Sequence, residues 1–205
     1  MLGFLAQGVL LGLSAGFSPG PLSALAIAET LRHGMVAGLR VVLAPLLTDA
    51  PIILVTLVIL SRLTSSNAIL GVVSFLGCAV VLRMAFETLE AKPMDSKDGA
   101  EEAKSLRKGI VVNLLSPNPY LFWLTVGAPT TLRAAEHDAF SPWAFIGGFY
   151  FCLVGAKVLI VLVVYRSKAR LGGLGYRYVM RFLGLLLLVF ALVLFRDGLS
   201  FFGFL

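Results

Sequence analysis

Asp49 and Lys157 are ionisable residues set inside long apolar runs, VVLAPLLTDAPIILVTLVIL and FYFCLVGAKVLIVLVVY respectively. At the centre of a bilayer each charge costs roughly 2.5–3.5 kcal/mol on insertion scales, so each should face a protein interior and have a partner. A carboxyl group held there can carry a proton or bind a cationic group; an ammonium can bind an anion. The bland alternative is a static ion pair between the two. Two further segments carry chemistry of another kind. Phe17-Ser18-Pro19-Gly20-Pro21-Leu22 and Leu115-Ser116-Pro117-Asn118-Pro119-Tyr120 share the pattern apolar-Ser-Pro-x-Pro-apolar. Each proline lacks an N–H and clashes with the preceding turn, so a pair at i and i+2 breaks a helix. In hydrocarbon the freed carbonyls and amides survive only inside protein or beside a water-filled cavity. Pro21 and Pro119 then open half-helices at 22–31 and 120–126, whose free N–H groups carry partial positive charge and suit a carboxylate. Ser18, Ser23, Asn113, Ser116 and Asn118 add hydrogen-bonding groups nearby. The candidate binding and coupling set is Asp49, Lys157, Ser18, Pro19, Gly20, Pro21, Asn113, Ser116, Pro117, Asn118 and Pro119.

The elements that position these residues are long apolar helices. The 205 residues are 59% hydrophobic and only 14% charged, with a mean hydropathy of +0.94. A soluble domain carries about 25% charged residues. Apolar runs fall near 2–31, 36–60, 69–86, 110–132, 142–165 and 178–202. Each is close to the ~20 residues that one crossing requires, and none alternates as barrel strands do. The expected fold is an all-α integral membrane protein of six transmembrane helices. Its two three-helix repeats, about 1–90 and 109–205, are joined by a polar, solvated loop over about 91–108 that carries a short helix. The first apolar run has no Lys or Arg before it and no small-residue cleavage site after it, so it reads as a retained helix.

With six crossings the loops fall alternately on two sides. One side receives Arg32, Arg40, Arg83, the basic residues of 92–108, and Arg166, Lys168, Arg170, Arg177 and Arg181; the other receives Arg62, Arg133 and Arg196. That bias places the first set in the cytoplasm and both termini outside. The same clustering explains a pI of about 9.6 without a nucleic-acid partner. Helix rise puts Asp49 and Lys157 each about 13–14 Å from the cytoplasmic edge, and the two proline motifs at about 14–20 Å. The three crossings that separate the motifs invert the second half relative to the first. Matched breaks in inverted halves point to a transporter's binding site.

The remaining polar residues read as structural. Glu29 with Arg32 and Arg83 with Glu87 are expected as interfacial pairs, His33 and His137 as surface loop residues, and Cys78 and Cys152 as small core residues. Gly8 and Gly12 form a Gly-x3-Gly packing step, with Gly147, Gly148 and Gly155 on the fifth run.

The segment GFSPGPLSALAIAETLRHGMVAGLRVVLAPLLTDAP, residues 16–51, resembles the first-half signature of the LysE/RhtB family of amino-acid exporters. VVNLLSPNPYLFWLTVGAP, residues 111–129, is similar to the family's fourth-helix stretch, and RFLGLLLLVFALVLFRDGL, residues 181–199, to its last helix. The resemblance covers nearly the whole chain. It implies an exporter of amino acids or related small metabolites, coupled to protons, with no cofactor, no metal and no enzymatic activity. Its partners would be a small-molecule substrate, protons and the lipid bilayer; a homo-oligomer is compatible. Asn118, Tyr120 and Lys157 depart from the family pattern, and a midplane lysine disfavours a dibasic substrate unless Asp49 neutralises it. A membrane electron carrier would need a cysteine beside each proline motif, where Gly20 and Asn118 stand. Intramembrane protease motifs are absent from the sequence. A divalent-cation exporter of the wider superfamily is the alternative, although it would want several midplane carboxylates.

Overall fold

The computed structural model describes residues 1–62, 67–90, 99–168 and 173–203, and every regular element among them is helical. In chain order these are α1 (Leu2–Phe17), α2 (Pro21–His33), α3 (Met35–Arg62), α4 (Asn67–Leu89), α5 (Gly99–Leu114) and α6 (Pro117–Phe122). A π-helical turn, Trp123–Gly127, leads into α7 (Ala128–His137), and α8 (Ser141–Lys168) and α9 (Gly173–Phe201) follow. Within the described residues, three single helices are long and apolar enough to cross a membrane: Met35–Thr56, Ser141–Ser167 and Leu174–Phe201. The pair α1 and α2, bent by 60° at the intervening break, passes the same test together, so the described residues offer three crossings, or four if that pair is one broken span.

The core is apolar, but unlike a water-soluble bundle the outer faces are apolar too, and several polar residues are buried. Leu10, Leu54, Phe151 and Leu192 are 65–81% exposed on the outer faces, whereas Thr48, Asp49, Asn113 and Lys157 are buried inside. Between helices already surrounded by apolar solvent, close backbone approach and polar contacts give association its strength. Gly8, Gly12 and Gly16 form a continuous stripe on α1 that lies directly on α8. A Cβ added at Gly8 or Gly12 would sit 2.3 Å from the carbonyl oxygen of Phe145 or Phe149, and one at Gly16 2.7 Å from the Cβ of Ala156. The expected Gly-x3-Gly step therefore extends one turn further than the sequence reading. On α8, only Gly148 meets α1, through Leu5; Gly147 and Gly155 face open space.

The order of these contacts gives the helix directions. Positions 8, 12 and 16 meet 145, 149 and 153–156 in increasing order, so α1 and α8 run parallel. On α4 and α9, Gly71 meets Phe202 and Gly184 meets Leu89, so those two are antiparallel. Gly109 meets Val41 and Ala44, and Asn113 bonds to Thr48 and Asp49, so α3 and α5 are parallel.

Four expectations change here. The short helix expected in the polar loop is α5, which begins at Gly99 and runs on into the fourth apolar run instead of ending within the loop; residues 91–98 and Arg170 lie outside the described residues. The second half-helix opens at Pro117 rather than at Pro119, because Ser116 is already extended (φ −95°, ψ 131°) and proline is tolerated in a first turn. Glu29 is buried and pairs across to α5 instead of with Arg32: Lys108 Nζ lies 3.0 Å from its Oε1, and the Ser105 hydroxyl donates to its Oε2. His33 joins that cluster, with its side chain 3% exposed and Nε2 3.9 Å from Glu29; it ends α2 and is not a surface loop residue. The chain reverses just beyond it at Gly34, whose φ of 95° favours glycine. The pair Arg83–Glu87 is present at 3.2 Å, and His137 is exposed.

The start of α8, which carries two of the site residues, is fixed by Asp138. Its Oδ1 accepts the N–H groups of Phe140 (2.8 Å) and Ser141 (2.7 Å), and its Oδ2 accepts the Ser141 hydroxyl at 2.6 Å. The Ser141 hydroxyl, followed by those N–H groups and the chain's N-terminal ammonium, brings its carboxyl down to about 2.

Candidate functional site

Both Ser-Pro-x-Pro segments break their helices, and several of the carbonyls exposed at the breaks are met by particular side chains. At the first, the Ser18 carbonyl accepts the Ser23 hydroxyl at 3.2 Å, and the Gly16 carbonyl faces Lys157 Nζ at 3.4 Å. At the second, the Leu114 carbonyl accepts the Tyr120 hydroxyl at 2.9 Å. The Leu115 carbonyl has lost its helical donor to Pro119 and lies against Gly77 of α4, where a Cβ would approach to 1.9 Å. Only glycine allows that approach. The breaks are thus held by particular side chains, as a non-helical backbone at membrane depth requires.

A cavity of about 370 Å³ lies between the two breaks. Ser18, Pro19, Gly20 and Pro21 line it from the first break, and Ser116, Asn118 and Pro119 from the second. Asp49, Asn113 and Lys157 complete the polar lining, with Ser23 beside Lys157. Of the residues that the sequence singled out, Pro117 alone is not among those lining the cavity; it is buried at the start of α6.

Asp49 is 6% exposed. Its Oδ1 accepts Asn113 Nδ2 at 2.8 Å and its Oδ2 accepts the Tyr150 hydroxyl at 3.0 Å. Asn113 uses its second N–H on Thr48 at 2.6 Å, and the Thr48 hydroxyl in turn donates to the Ala44 carbonyl at 3.0 Å. The carboxyl is therefore held by neutral donors from α5 and α8, and among the described residues no cation lies against it. Lys157 is 7% exposed, and its ammonium donates to the Ser23 hydroxyl at 2.8 Å and to the Gly16 carbonyl. No ion pair joins Asp49 to Lys157, so the static pair weighed from the sequence is not formed. Two opposite charges border one cavity, each solvated by neutral groups. That arrangement can hold an ammonium at one point and a carboxylate at another.

The apolar wall contains residues that the sequence reading missed. Trp123, at the start of the π-helical turn, is 1% exposed and stacks on Tyr150 with ring centroids 6.2 Å apart. Phe122 stacks on Phe149 at 4.8 Å. Gly127 makes room for the indole, since a Cβ there would come within 2.3 Å of it. π-helical turns inside α-helices are frequently found at functional sites, and this one directly follows the second break. Tyr150 had a detectable signal: it precedes Lys157 by seven residues, two turns of one helix face. Trp123 had none, because a tryptophan in an apolar run is ordinary.

No curated protein and no solved structure matches the chain. A sequence model of the LysE type translocators matches residues 13–198, from the first break through the last helix and including every cavity residue. The chain is therefore a multi-pass helical membrane protein that belongs to the LysE type translocator family.

Proposed function

We propose that the protein exports amino acids or related small metabolites, with the cavity between the two broken helices as its substrate site. The observation that carries this reading is the pairing of two matched helix breaks around a cavity bordered by a buried acid and a buried base, neither neutralised by the other. The substrate ammonium, or a proton in its absence, binds at Asp49. The carboxylate docks near the N-terminus of α2, where the N–H groups of Leu22 and Ser23 have no helical acceptor. Asn113 and Tyr150 orient the acid, while Ser18, Ser116 and Asn118 supply further hydrogen bonds. Alternation of the cavity between the two membrane faces moves the substrate, and protonation of Asp49 on the return step couples it to the proton gradient. Transport, rather than catalysis, is the activity.

Six crossings arranged as two inverted repeats suit this mechanism. The parallel pairs α1–α8 and α3–α5 and the antiparallel pair α4–α9 are the directions that six alternating crossings would give. The basic loops then lie in the cytoplasm and both termini outside. The test is a metabolite screen: overproduce the protein and measure which compounds the cells excrete or come to tolerate. Raised amino-acid efflux is the expected result. Metal tolerance with unchanged amino-acid efflux would instead point to a divalent-cation exporter and sink this reading.

A further inference from the structure

The geometry points to a net-neutral zwitterion with an uncharged, apolar side chain as the substrate, its carboxylate read by Lys157 and its ammonium by Asp49. This inference rests on the exporter reading and narrows it. Among the described residues lining the cavity, Asp49 is the one carboxylate and Lys157 the one ammonium. Each is more than nine-tenths buried, and neither has a counter-ion. Lys157 has three donors; the Ser23 hydroxyl and the Gly16 carbonyl engage two of them. Tyr150, which marks the position of Asp49, and Lys157 lie two turns apart on α8, roughly 10 Å along its axis. A zwitterion placed there neutralises both charges at once.

The rest of the wall decides the side chain. Leu22, Val112, Phe122, Trp123, Phe149 and Leu153 offer apolar surface with no further charge. A cavity of about 370 Å³ is at the small end of ligand sites, which run from about 300 to 1,000 Å³. A dibasic amino acid would bring a second cation that finds no carboxylate, and a diacid a second anion that finds no ammonium. In a desolvated site an unpaired charge is costly, so both are rejected.

The test is counterflow in proteoliposomes of the wild-type protein, following labelled leucine against unlabelled competitors. Leucine, methionine and phenylalanine should compete well. Leucinamide, which lacks the carboxylate, N-acetyl-leucine, which lacks the ammonium, and lysine and glutamate should each compete roughly 10- to 100-fold more weakly. Competition by lysine or leucinamide equal to that of leucine overturns the inference and leaves the exporter reading standing. Absence of flux for every amino acid sinks both. Lys157 also caps the broken end of α1, so a lowered rate in Lys157→Gln would not by itself assign its role. The variant's leucine-to-leucinamide preference does: collapse toward one supports carboxylate recognition, and an unchanged preference at a lower rate overturns it. If Lys157→Gln fails to fold, the wild-type competition series decides alone.

Discussion

Replacing Asp49 by Asn should reduce export by about 100-fold or more, the factor expected when a charge-assisted contact worth about 3 kcal/mol is lost. The protein should remain inserted and folded. The physical reason lies in how the carboxylate is held. Asn113 and Tyr150 donate to its two oxygens at 2.8 and 3.0 Å, and an asparagine of the same shape keeps an oxygen for one of them. The substitution therefore removes the charge and the capacity to carry a proton, with little change in shape. Burying an unneutralised carboxylate in a membrane is unfavourable, so the same change should leave thermal stability equal or raised. Uptake into inside-out vesicles, which is export seen from the cytoplasmic face, together with a melting curve in detergent checks both halves. Unchanged uptake would mean that Asp49 neither binds substrate nor couples transport.

The largest effect on stability is expected from Gly12→Val. A Cβ at Gly12 would lie 2.3 Å from the Phe149 carbonyl oxygen and 3.0 Å from its Cα, all backbone atoms that no rotamer change can move aside. Overpacking costs about 1–3 kcal/mol even where side chains can yield; here α1 has to separate from α8. Gly16 lies on the same stripe and its carbonyl faces Lys157, so the displacement also opens the first break. The expected outcome is a marked fall in monodisperse yield and thermal midpoint, with transport lost alongside. Gly155→Val is the control, because that position on α8 faces open space and should tolerate the same side chain. Equal behaviour of the two variants would mean that the α1–α8 contact does not depend on its glycine stripe.

What the sequence could disclose was the part governed by local chemistry. Two prolines at i and i+2 break a helix wherever they occur, so both breaks could be placed to within a turn. An ionisable residue in an apolar run has to turn inward, and helix rise then brought Asp49, Lys157 and both motifs to a common depth; the cavity gathers all of these except Pro117. The remainder depends on which helices become neighbours. Glu29 is three residues from Arg32 in sequence, but α2 lies against α5, so Lys108 and Ser105 reach it first. His33 follows it into the interior for the same reason. The π-helical turn at Trp123–Gly127 has no composition of its own, and the use of Gly77 to admit the Leu115 carbonyl depends on a contact between distant helices. Tyr150 lies between these cases: its two-turn spacing from Lys157 put it on the right face, but its bond to Asp49 required knowing that α8 approaches α3.

Occupancy of the cavity between the broken helices by substrate is tested most directly by a protection measurement. Asn118 is exposed and lines the cavity, so a cysteine placed there, with Cys78 and Cys152 replaced by alanine, reports on its occupancy. A small maleimide should label Asn118→Cys readily in the purified protein, and saturating leucine should slow that labelling several-fold, whereas leucinamide at the same concentration should not. Labelling that leucine leaves unchanged, in a variant that still carries out leucine counterflow, would place the substrate path elsewhere and contradict the account.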